Sequence, residues 1–89
     1  MSYEKQRFEN TLQEYKNVET TIKHLQLQVD NCEDLSEMKQ YQSELEVLLK
    51  KLRFMDKTTS QLDFLNKKLR KKCCSLLQEV NDIIDLNED

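Results

Sequence analysis

The sequence predicts an all-α protein, an antiparallel helical hairpin or bundle closed along a coiled-coil-type apolar seam. Three observations predict it. The 89 residues contain no glycine and no proline, so nothing supplies an easy left-handed turn, a cis peptide or an enforced chain stop. Apolar residues recur at the three- and four-residue spacing of a helix face through most of the chain. With 37% of residues apolar and 35% charged, the chain is too polar for a thick globular core but suits long helices sharing one seam. β-Sheet folds need hairpin turn residues and β-branched runs, which this chain does not have, and a phosphate-cradling glycine loop is excluded outright. Its length allows one domain, residues 1–89, whose core alone gives modest stability.

The first predicted helix covers about residues 2–29. Phe8, Tyr15, Ile22 and Val29 repeat every seven residues, Val18 and Leu25 fill the second apolar row, and Leu12 widens the stripe. Ser2 is its expected N-cap. A turn follows at about 30–34. The next position in phase after Val29 is the polar Ser36, a new stripe starts at Leu35 and Met38, and Asp30-Asn31-Cys32-Glu33-Asp34 lies between. Asp34 followed by Glu37 is a capping-box-like pattern that opens the next helix.

From there two rows run in phase: Met38, Leu45, Leu52, Thr59, Asn66, Cys73 and Val80, and Tyr41, Leu48, Met55, Leu62, Leu69, Leu76 and Ile83. A pattern sustained over this many heptads is specific for a coiled-coil or bundle helix. Two architectures fit. One is a single long helix over about 35–86. The other is a pair of helices, about 35–56 and 60–86, that completes a three-helix bundle, with Ser60 and Asp63 as cap residues after the weak helix formers Asp56-Lys57-Thr58-Thr59. The unbroken heptad phase favours the single helix.

The seam is wide. Its flanking positions include Leu49, Leu65, Leu77, Ile84 and Leu86 where a simple two-stranded coil carries charges, so more than one neighbouring helix must cover it. The first helix covers part by folding back. The remainder implies self-association or a helical protein partner, with Leu45, Leu48, Leu52, Met55, Leu62, Leu65, Leu69, Leu76, Val80 and Ile83 as the expected contact residues. Asn66 reads as a register-setting or tolerated polar residue within the seam.

Charge is segregated. Residues 1–49 carry a net charge of −5, residues 50–72 carry +7, and residues 73–89 carry −5. Lys67, Lys68, Arg70, Lys71 and Lys72 form the densest part of the basic block, which is expected to pair with the acidic first helix or an acidic partner, or to serve as a stripe for an acidic surface such as a tubulin tail, nucleic acid or anionic lipid. Nucleic acid is disfavoured, because the chain is acidic overall and the run from Lys67 to Lys72 has no interleaved aromatic for stacking. The same run also matches a nuclear import signal, at low specificity.

No constellation of catalytic or metal-ligating type emerges. His24 is the single histidine and has no Cys, Asp or Glu at helical pairing distance. Cys73 falls on the seam as a small apolar residue, Cys74 falls outside it, and adjacent cysteines close only a strained ring. Three cysteines make no disulfide framework, so a reducing cytoplasmic or nuclear compartment is expected. No apolar run approaches membrane-spanning length, and the N-terminal residues do not read as a signal peptide. Phe54 and Phe64 fall away from the seam and point to a second contact face. The expectation is therefore a non-enzymatic protein-interaction subunit or adaptor without a cofactor, of the kind found in cytoskeletal, kinetochore or tethering complexes. The layout of helices and polar residues also resembles tubulin-folding cofactor A, a small three-helix tubulin chaperone; that resemblance implies a monomeric module that uses its outer faces. Whether 56–60 is helix or turn separates the two.

Overall fold

Asp56, Thr58 and Thr59 decide the architecture. The computed structural model describes residues 2–88, the side chain of Ser2 excepted, and contains three helices: α1 (Ser2–Asn31), α2 (Leu35–Phe54) and α3 (Ser60–Asn87). The single long helix over 35–86 does not form. The chain leaves helical geometry at Met55, where ψ is 151°, and re-enters it at Ser60, after the extended Thr59. Asp56 Oδ1 accepts from both the backbone amide (3.0 Å) and the hydroxyl (2.8 Å) of Thr58, a local turn that competes with helix continuation. Thr59 Oγ1 then accepts from the Leu62 amide at 3.2 Å, so Thr59, and not Ser60, is the N-cap of α3. Periodicity alone could not expose this turn. Leu52 and Leu62 are ten residues apart, which keeps the seam in phase whether the intervening chain is helical or not.

The first joint lies where the turn chemistry placed it. Asp34 caps α2 by accepting from the Ser36 amide at 2.9 Å, with an extended backbone (φ −98°, ψ 122°). Glu37 does not complete the expected box but faces Cys32, whose thiol lies 3.5 Å from its carboxylate. The N-cap role expected of Ser2 concerns a side chain outside the described ones.

The helices make a rod of 58 × 17 × 15 Å. α2 and α3 form the most closely packed pair, and α1 lies along both. The pairs Tyr15–Asn66 and Gln26–Glu79 advance together, so α1 runs parallel to α3 and antiparallel to α2. One continuous core joins Tyr15, Val18, Ile22, Leu25 and Val29 of α1 to Met38, Leu45 and Leu52 of α2, Met55 of the turn, and Leu62, Leu69, Cys73, Leu76, Val80 and Ile84 of α3. The last contact passes from Ile83, which is half-buried, to the buried Ile84. A straight helix drifts by about 20° per heptad against a strict seven-residue repeat, which carries the buried stripe off the d row near its end.

Candidate interaction surface

A polar junction between Tyr15 and Asn66 lies in the interior, where all three helical segments meet. Tyr15 and Asn66 are both essentially inaccessible to solvent. The Tyr15 hydroxyl donates to the Asp56 carbonyl at 2.7 Å and accepts from Asn66 Nδ2 at 3.0 Å. The second N–H of that amide donates to the Leu52 carbonyl, one of the last four carbonyls of α2 that have no partner within the helix. These three contacts settle the amide's orientation, because the reversed assignment would set oxygen against oxygen at Leu52. Asn66 Oδ1 is left buried and without a partner. Asn66 therefore ties the end of α2 to the start of α3, and Tyr15 locks α1 to the same level. Burial pushes the Tyr15 phenol above its ordinary pKa, against the lowering effect of the Asn66 hydrogen bond. Thr58's hydroxyl and amide, with Arg7 (3.7 Å) beside them, hold the Asp56 carboxyl below its usual value.

Of the residues expected to contact a partner through the seam, Leu45, Leu52, Met55, Leu62, Leu69, Leu76 and Val80 lie in the molecule's own core, and Leu48, Leu65 and Ile83 are partly buried against it. Folding α3 back along α2 covers most of the width that seemed to demand another molecule: Ile84 is buried and Leu49, Leu65 and Leu77 are half-buried, while Leu86 stays exposed. Cys73 is fully buried, its thiol 3.4 Å from the Leu45 carbonyl, and burial raises its pKa to about 11. Cys74 is exposed and Cys32 half-buried.

The outer faces carry what the core does not use. Lys67, Lys68, Lys71 and Lys72 are exposed, whereas Arg70 is half-buried with its Nε shielded from solvent and unpaired. Lys67 pairs with Asp63 one turn back at 3.1 Å. Among the described residues no basic side chain of the 50–72 block forms an ion pair with an acid of α1; the pair joining them is the reverse, Arg7 of α1 with Asp56. The acidic first helix thus leaves the block's charge largely uncommitted. Phe54 is 86% exposed and Phe64 66% exposed, as their positions off the seam predict. Val47 and Phe54 stand seven residues apart on the outer side of α2 with Lys50 and Lys51 between them, all four exposed.

The grooves between helices are open furrows. One of about 880 Å³ lies between α1 and α3, lined by Ile22, Lys23, Lys71, Leu76, Glu79 and Leu86 among others. His24 borders a second, between α1 and α2, with Leu25, Val47 and Leu48. Among the described residues no group of three His, Cys, Asp or Glu side chains is placed to hold a metal ion, and no helix is long and apolar enough to cross a membrane. The Tyr15–Asn66 pairing escaped sequence reasoning because its members are 51 residues apart. The signal available was that each is a polar group at a core position, and such groups need partners. Compared with known proteins, the chain matches no family model, no curated protein and no solved structure.

Proposed function

We propose that this chain is a non-enzymatic protein-interaction module whose three-helix core is a scaffold and whose outer helical faces make the contacts. The observation that carries the proposal is Phe54, 86% exposed at the end of α2 and flanked on the same face by Lys50, Lys51 and Val47. A large apolar side chain ringed by uncommitted positive charge suits an acidic, amphipathic protein segment: the aromatic supplies the anchor, and the lysines steer and orient. Assembly through the 38–83 seam is less well supported, because most of its side chains already lie in the molecule's own core. The narrower reading, a chaperone-type module similar to tubulin-folding cofactor A, draws on the three-helix layout and on a basic surface suited to an acidic protein tail.

A photoreactive phenylalanine analogue at position 54 of the full chain, used in cell extract beside a Phe54→Ser variant, tests this. The expected result is a protein partner crosslinked at position 54 at low salt, retained by the native chain and lost by the variant with its melting temperature unchanged. Equal retention of the same partner by both proteins refutes α2 as the contact face.

A further inference from the structure

On α3, Phe64, Lys68, Lys71, Ser75, Glu79, Asp82 and Leu86 are all solvent-exposed, with Leu86 82% and Phe64 66% accessible. Their spacing is four, three, four, then again four, three, four, so they form one straight, exposed stripe along the helix, whose residues from Lys68 to Leu86 border the open grooves beside α1. The stripe is palindromic in spacing about Ser75 and complementary in chemistry: apolar, basic, basic, small, acidic, acidic, apolar. If a second α3 is turned end over end about a twofold axis through Ser75, Lys71 faces Glu79, Lys68 faces Asp82 and Phe64 faces Leu86. Each contact is made twice, as a closed twofold interface requires. Only the small Ser75 side chains meet at the crossing point, where helix separation is set by side-chain size.

We infer that the outer face of α3 is a self-complementary surface through which two copies of this chain pair in antiparallel orientation. Charge selects the orientation, since a parallel pair would set lysine against lysine and acid against acid. The charges are free to serve. Among the described residues neither Lys68 nor Lys71 takes part in an ion pair, and Glu79 and Asp82 accept only from the neutral amides of Gln26 (3.3 Å) and Gln78 (2.9 Å). The partner's Phe64 arrives where Ile83 and Leu86 line the open groove between α1 and α3, so its ring gains apolar cover. From Phe64 to Leu86 the stripe is about 33 Å long and about one helix wide, ~700 Å² in all for two partners. That is below the roughly 1,000 Å² of a stable interface. The pair is therefore weak, reversible and sensitive to salt. This goes beyond the partner contact proposed for α2 and uses a different helix, so either can fail alone.

Sedimentation velocity of the full chain, over a concentration series at about 50 and about 500 mM salt, reads the association directly. The native chain is expected to dimerise at low salt, with its dissociation constant rising about tenfold or more at high salt. Lys68→Glu/Lys71→Glu and Glu79→Lys/Asp82→Lys should each be monomeric under the same conditions, and an equimolar mixture of the two should form a heterodimer. All four positions are exposed, so circular dichroism of the variants should match the native chain; if one variant misfolds, the native salt series still decides. A native chain that stays monomeric at about 1 mM and low salt overturns the inference. So does a dimer that both charge reversals leave intact.

Discussion

The polar junction makes a quantitative demand. Replacing Tyr15 with Phe keeps the ring in the core but removes the one group that touches both Asp56 and Asn66. The Asp56 carbonyl belongs to a half-exposed turn residue and can recover a partner from water, whereas the Asn66 N–H stays buried without one. Leaving a buried donor unsatisfied costs about 1–3 kcal/mol, so Tyr15→Phe should destabilise by about 2 kcal/mol. In a domain of this size that lowers Tm by roughly 8–16 °C. Asn66→Leu behaves differently. It strips the Leu52 carbonyl of its partner but also removes the buried, unpartnered Oδ1, and the two effects largely offset, to within about 1 kcal/mol of the native chain. In that background Tyr15→Phe loses only the bond to Asp56, worth about 1 kcal/mol. The double-mutant cycle should therefore show a coupling of about 1 kcal/mol, measured by urea unfolding followed by circular dichroism. Additivity to within about 0.3–0.5 kcal/mol would refute the junction as described.

Three further outcomes follow from the same geometry. Thr59→Ala should cost about 1 kcal/mol and Ser60→Ala less than about 0.5, since Thr59 is the cap; equal losses in urea unfolding would reverse that assignment. Leu62→Ala and Leu69→Ala should each cost ~2–5 kcal/mol, because both side chains are enclosed between helices, and unchanged melting temperatures would remove them from the core. The buried Cys73 thiol has a folded pKa of about 11 against an ordinary 9.0. Folding therefore favours its protonated form: the stability it contributes is complete below pH 9 and is lost as pH rises through about 11. The loss amounts to roughly 2–3 kcal/mol, and the raised Tyr15 phenol adds to it above pH 10. An alkaline decline in stability that is identical in Cys73→Ala would exclude the thiol as its source.

Much of this fold can be read from residue order, and the parts that cannot have physical reasons. The first joint was legible because Asp34 and its neighbours combine a phase break with cap chemistry, two signals that agree. The second joint was not, because its phase is preserved and the Asp56–Thr58 turn speaks only through weak propensities. The two seam rows were found almost complete, yet periodicity states that a face is covered without stating by what, so an intramolecular core and an intermolecular one look alike. Exposure of Phe54, Phe64 and Cys74 followed from their heptad positions, whereas Asn66 needed a partner in a helix far away in sequence. The palindrome on α3 is fully present in the sequence, but it becomes visible only once the outward face of that helix is known.

The two joints have a consequence for how such a chain can vary. Among the described residues none has a positive φ, and Asp34, Met55 and Thr59 all sit in extended geometry open to any L-amino acid. Neither reversal of direction therefore depends on a conformation that only glycine adopts readily. Mutation at the joints meets a slope and not a cliff: each change costs a cap or a hydrogen bond, and none makes the path sterically forbidden. Apart from the caps Asp34 and Thr59 and the buried Met55, the residues of the two bends carry little of the stability, which rests on the core and on the Tyr15–Asn66 junction.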